Sequence, residues 1–237
     1  MPGGALKFLL SLRKANRQFA VIGLGRFGRA VCGSLHRMGY EVIAGDRDEK
    51  LVARVMTEKI ANHAVQLDST DPTALKQAGI FEFDTVIVAI GNYLEESVIT
   101  TLNLKEAGVK QVVVKASSDT HRKLLARVGA DRVVFPEYEA GYHLARNLAK
   151  PSILEHFNLD GDNSIVEVKV PKEFDGKTLK ELELRRKYRL NVLAIKHEDK
   201  FKINPSPEDR LNKGLAMVVI GSNEDINKLP ISDVLIQ

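Results

Sequence analysis

Over about the first 135 residues, short continuously apolar runs alternate with stretches whose apolar positions recur at helical spacing. The first run, Phe19 to Ile22, feeds Gly23-Leu24-Gly25-Arg26-Phe27-Gly28, and a helix follows with Phe27, Ala30, Val31, Leu35 and Met38 on one face, stopping at Gly39. A second strand runs from Glu41 to Asp46, and Asp48 caps a helix bearing Leu51, Val52, Val55 and Met56. A third strand, His63 to Leu67, ends at Asp68-Ser69-Thr70, and Asp71-Pro72 opens a short helix closed by Gly79. The fourth, Thr85 to Ile90, runs into Gly91, with Asn92 and Glu95 spaced as a capping pair for the next helix. A fifth strand covers Gln111 to Lys115, an Asp119-capped helix ends at Gly129, and a sixth strand, Arg132 to Phe135, is broken by Pro136.

Strands that stay apolar along their length are buried on both faces, as in a parallel sheet covered by crossover helices. The pattern predicts a Rossmann-like α/β domain with a six-stranded parallel sheet over residues 18–137. Asp46, Asp68, Gly91, Lys115 and Glu137 all fall at the carboxyl edge of that sheet, where such folds bind ligands.

Beyond Tyr138 the pattern is helical as far as Leu148, with Lys150-Pro151 interrupting it, so 138–161 reads as a connecting helix and linker. Ser164 to Val170 then alternates with period two, the mark of a half-exposed strand. Thr178 and Glu181 form a capping box, and strands are expected at 191–196, 201–203 and 216–220. Residues 162–222 thus make a small α+β lobe, marginal alone and expected to dimerise. A leader over 1–17 and a tail over 223–237 complete the organisation.

Composition narrows the function classes. The 237 residues carry a formal charge of +4 with basic residues dispersed, which argues against nucleic-acid binding. The single cysteine, Cys32, excludes an internal disulfide framework and fits a reducing compartment. No apolar run reaches membrane-spanning length, and Ala5 to Leu12 is too short and interrupted for a signal segment.

The glycine loop supplies the candidate chemistry. Gly23 permits a tight turn, Gly25 lets phosphates approach the backbone, and Gly28 lets the helix pack against the strand. Asp46, eighteen residues beyond Gly28, stands where a carboxylate accepts from ribose hydroxyls, and it disfavours a 2′-phosphate. Capping the next helix is its competing role, with Asp48 a rival for that position. Arg26 within the loop is either a solvated surface arginine or a partner for the extra charge of a nucleoside triphosphate. An NAD-dependent oxidoreductase is the competing function, but none of the six histidines stands beside another catalytic type at suggestive spacing.

Phe19 through Met38, Asp46, the run Val88-Ala89-Ile90-Gly91, and Gly129 through Glu137 together resemble an RCK domain, the regulator of potassium conductance of Ktr and Trk systems. The second lobe resembles the RCK C-terminal lobe through Ser164 to Val168, Gly176-Lys177-Thr178-Leu179, Val192 to His197, and Pro205 with Pro207-Glu208. The likeness spans about residues 18–222 and is of the KtrA/TrkA type. It implies a non-enzymatic, cytoplasmic regulatory subunit, peripheral to the inner membrane. RCK dimers, commonly in an octameric ring, would sit beneath a KtrB/TrkH-like potassium-translocating partner and change shape between ATP and ADP. NAD or NADH is the alternative ligand. The resemblance places Gly23, Gly25 and Gly28 at the phosphates, Asp46 at the ribose, Arg47 and Asp68 beside the adenosine, and Arg26 at the terminal phosphate. Phe27, Ser69, Ala89 and Gly91 complete the lining, with Lys115 near the phosphates. Glu137 would help hold a divalent cation, Mg²⁺ or Ca²⁺; from the residues alone it reads equally as a carboxylate complementing a helix dipole. Arg185, Asn191 and Pro207 match positions that bind cyclic di-AMP in some relatives.

Overall fold

A computed structural model describes residues 17–231 apart from Asn92 and Asp199, so the Ala5 to Leu12 segment and the expected cap at Asn92 lie outside the described residues. The chain divides into two compact units, with the boundary between Glu139 and Ala140.

In the first unit, β1 (Gln18–Ile22), β2 (Glu41–Asp46), β3 (His63–Gln66), β4 (Thr85–Val88), β5 (Gln111–Lys115) and β6 (Arg132–Val134) form one sheet in the order 3-2-1-4-5-6. Every pairing is parallel. The helices between them are α1 (Arg26–Arg37), α2 (Glu49–Thr57), α3 (Pro72–Gln77), α4 (Leu94–Glu106) and α5 (Asp119–Arg127). Alternate strand residues supply two cores. Ala20, Ile22, Val86 and Val88 join one with Leu104 and Leu125; Val21, Val42, Ala44 and Ile87 join the other with Cys32 and Val55. Burial on both faces is why these strands show no polar alternation.

Local chemistry explains most helix starts. Asp48 accepts from the Lys50 amide at 2.8 Å and Asp71 from the Thr73 amide at 2.8 Å. The expected Asp119 cap is corrected: Ser118 Oγ accepts from the His121 amide at 3.1 Å, and Asp119 is the first helical residue. Ser118 has the extended backbone a cap requires, while the Asp119 carboxylate complements the helix dipole from the first turn. α4 begins after Tyr93 without a side-chain cap.

Helix α6 (Pro136–Ala149) carries the unit boundary. The second unit has an antiparallel sheet in the order 10-9-11-8-7, from β7 (Ile153–Asn158), β8 (Asn163–Lys169), β9 (Asn191–His197), β10 (Lys200–Ile203) and β11 (Ala216–Ser222). β7 lies inside the stretch expected to be linker, so His156 belongs to a sheet strand. Helices α7 (Leu179–Leu182), α8 (Leu184–Lys187) and α9 (Asn223–Ile226) accompany the sheet. β8 buries Ser164, Val166 and Val168 and leaves the alternate positions more open, as its period predicts. The Thr178 capping box is present, with the Thr178 amide donating to Glu181 Oε2 at 2.7 Å. The segment after Ser222, expected as tail, puts Ile226 and Leu229 into this core.

Candidate functional site

The strand order reverses direction between β1 and β4, and a cleft of about 770 Å³ opens there at the carboxyl edge of the sheet. Gly23 leaves β1 at φ +94°, and a Cβ on it would lie 2.9 Å from the Ala89 carbonyl carbon at the end of β4. A Cβ on Gly28 would stand 1.8 Å from the Gly23 carbonyl oxygen, so α1 reaches the loop only because residue 28 is glycine. Gly28 is buried beneath the loop and does not line the cleft. Gly25 caps α1, and apart from its chain neighbours no atom lies within 4 Å of where its Cβ would be. The open side of the glycine loop therefore faces the cleft.

The first turn of α1 contains no acidic residue, leaving its amides and positive dipole end for an external anion. Arg29 Nη1 donates to the Leu24 carbonyl at 2.9 Å and stiffens the loop. Arg26 is exposed at the cleft, and its side chain makes no hydrogen bond or ion pair among the described residues.

Asp46, half-buried at the end of β2, braces the same loop. Its Oδ2 accepts from the Leu24 amide at 2.6 Å and its Oδ1 from the Asp48 amide at 2.9 Å. Each oxygen keeps a second lone pair for a ligand hydroxyl.

At one end of the cleft, Lys115 Nζ donates to Glu137 Oε1 at 2.5 Å. The lysine is mostly enclosed, 13% exposed against 64% for its partner, with Nζ 5.9 Å from the Phe27 ring centroid. A Cβ on Gly91 would lie 3.0 Å from that Nζ. The hydrogen bond from Lys115 holds the Glu137 carboxyl below its usual pKa, with Arg26 adding a smaller charge effect. At the other end Arg47 forms an ion pair with Glu96 and lies 4.4 Å from the centroid of the Tyr93 ring. Attraction to Glu96 raises the Arg47 pKa further. Asp68 Oδ1 accepts from the Thr70 hydroxyl at 2.7 Å and the Thr70 amide at 2.9 Å, which lowers its pKa. Ser69 is buried, with its hydroxyl 2.7 Å from that of Thr100.

The cleft thus brings together Gly23, Gly25, Arg26, Phe27, Asp46, Arg47, Asp68, Ser69, Ala89, Gly91, Lys115 and Glu137. Reading the sequence missed Tyr93 and Glu96. Their one visible signal was an aromatic and an acid, two and five residues after the glycine that ends the fourth apolar run. Among the described residues no group of three or more His, Cys, Asp or Glu is arranged to hold a metal ion.

A shallower cleft of about 520 Å³ lies in the second unit. Arg185, Asn191 and Pro207 line it together with Lys180 and Arg186.

Residues 19–136 match the TrkA-N domain and residues 164–229 the TrkA-C domain. Over 212 residues the chain is 42% identical to the Ktr system potassium uptake protein C of Bacillus subtilis, spanning 90% of this chain and 95% of that one. This chain belongs to the Ktr potassium uptake family. It is also 40% identical over 216 residues to Ktr system potassium uptake protein A of the same organism, covering 91% and 96% of the two chains. The Vibrio alginolyticus protein A shares 33% identity over 219 residues, or 92% and 99% of the chains. Among solved structures, the GsuK channel bound to NAD matches with a TM-score of 0.52 and 28% identity. That match takes in 90% of this Ktr-family chain and 37% of the channel chain. Among the described residues no helix of this Ktr-family chain is long and apolar enough to cross a membrane.

Proposed function

We propose that this chain is a nucleotide-sensing subunit that regulates a membrane potassium-translocating partner and consumes no nucleotide. The reading is carried by one observation: the cleft gathers a ribose-type acid, an open glycine loop at a helix N-terminus and two cations, Arg26 and Lys115. Asp46 takes the ribose, the Gly25 loop takes the first phosphates, and Arg26 extends the cationic surface toward a third phosphate. Family membership favours regulation of potassium uptake over hydride transfer. The GsuK channel bound to NAD supports a second ligand, NAD or NADH, in the same cleft.

A divalent cation accompanying ATP would meet Glu137, whose carboxyl is held ionised by Lys115. Glu137 would be one donor to that cation beside the terminal phosphate, at the interface with a second copy of the chain. The second cleft, with Lys180, Arg185 and Arg186, suits an anionic ligand such as cyclic di-AMP. In the second unit, helix α6 exposes Tyr142, Leu144 and Leu148, an apolar surface suited to a second copy of the chain. Dimers so formed would build the octameric ring expected beneath a KtrB/TrkH-like partner on the cytoplasmic side.

The test joins two measurements on the purified full chain. Mass spectrometry of copurifying small molecules should find an adenine nucleotide, and X-ray scattering should distinguish ATP-bound from ADP-bound assemblies. A ligand must prefer one shape, because equal affinity for both shifts nothing. Identical scattering at saturating ATP and ADP would refute the gating reading.

A further inference from the structure

Glu96 and Tyr93 have no part in the phosphate or ribose chemistry above, yet they hold a third residue that lines the same cleft. Arg47 follows Asp46 at the end of β2, whereas Tyr93 and Glu96 start α4, beyond β4. These two elements flank the crevice at the strand-order reversal. The Arg47–Glu96 ion pair therefore spans it, and the guanidinium lies against the Tyr93 ring. A guanidinium is planar and stacks on aromatic faces as a heterocyclic base does. With the ribose at Asp46 and the phosphates at the glycine loop, the base falls on the Arg47 side.

We infer that Glu96 and Tyr93 are positioning residues that clasp Arg47 across the base end of the cleft, and that this clasp must open to admit the purine. The inference rests on the nucleotide reading. Arg47 and Tyr93 are each about half exposed, and Glu96 is 27% exposed in its side chain. The pair is therefore a weak, salt-sensitive restraint suited to an opening element.

The chain contains no tryptophan, so Tyr93→Trp supplies a single fluorescent reporter while keeping an aromatic face under Arg47. Association of adenosine and of ADP is followed by stopped flow in that protein, with and without Glu96→Gln. Adenosine is the decisive probe because it is uncharged, so loss of a carboxylate cannot speed it by long-range attraction. Removing Glu96's charge should raise the adenosine association rate about two- to fivefold, the range an exposed ion pair supplies. About 0.5 M KCl should raise the unsubstituted rate toward the variant's, since salt weakens the same pair without a mutation. Thermal melts confirm that both proteins are folded. Equal adenosine rates at low salt, with binding intact, overturn the clasp alone. Failure of both proteins to bind adenosine or ADP overturns the clasp and the nucleotide reading together.

Discussion

Asp46 Oδ2 accepts a 2.6 Å hydrogen bond from the Leu24 amide, so the acid at the end of β2 braces the loop that leaves β1. The residue proposed to hold a ligand's ribose is thus also part of the loop's own architecture. Asp46→Ala should cost stability as well as affinity, because the Leu24 amide loses a charged acceptor. Each loss should be about 1.5–3 kcal/mol, the worth of a hydrogen bond to a charged group. Asp46→Asn keeps an oxygen for Leu24 and should recover most of the stability but less of the affinity. Calorimetric titration beside thermal unfolding separates the two. Full stability in Asp46→Ala would show that the brace contributes nothing.

Gly28 and Gly25 should respond oppositely to alanine. At Gly28 the added methyl would meet the Gly23 carbonyl oxygen at 1.8 Å, so loop and helix must separate, at a cost of about 3 kcal/mol or more. At Gly25 the methyl meets nothing within 4 Å apart from its chain neighbours, so unfolding should shift by about 1 kcal/mol or less while nucleotide binding falls sharply. Denaturant unfolding of both variants tests this. Equal destabilisation would mean that Gly25 is a packing glycine too.

The first unit was largely legible because its signals are local. A buried parallel strand is uniformly apolar, Asp48 and Asp71 sit next to the amides they cap, and Asp46 follows the glycine loop at a fixed spacing. What escaped depends on contacts distant in the chain. The 3-2-1-4-5-6 order is set by pairing β1 with β4 across more than sixty residues, which no local pattern encodes. β7 was hidden because Ile153 to Asn158 carries charge and exposed Phe157, as an edge strand can. Arg47 and Glu96 become partners only after two crossovers bring their elements together.

Acid should weaken the protein partly through Glu137. Its folded pKa lies below the ordinary 4.5 because Lys115 donates to it. The unfolded state then binds more protons in that range, so stability rises with pH. The contribution is complete above the unfolded value and is lost as pH falls through the folded one. Because Glu137 is largely exposed, the amount is under about 1 kcal/mol. Unfolding measured between about pH 6 and about pH 3 should show a shallower decline in Lys115→Met than in the unsubstituted chain. Parallel curves would mean that the pair adds no net stability.

The central claim, a cleft built to sense the phosphate number of an adenine nucleotide, is tested most directly at Arg26. Calorimetric titration of the full chain and of Arg26→Ala with ATP, ADP and NAD, each with Mg²⁺, separates the contacts. A charge-assisted bond to a terminal phosphate is worth about 1.5–3 kcal/mol, hence roughly tenfold or more in affinity. Arg26→Ala should therefore lose ATP affinity by that factor while ADP and NAD, held mainly by the α1 terminus and Asp46, change much less. Equal losses for all three ligands, or no ATP binding by the unsubstituted chain, would contradict it.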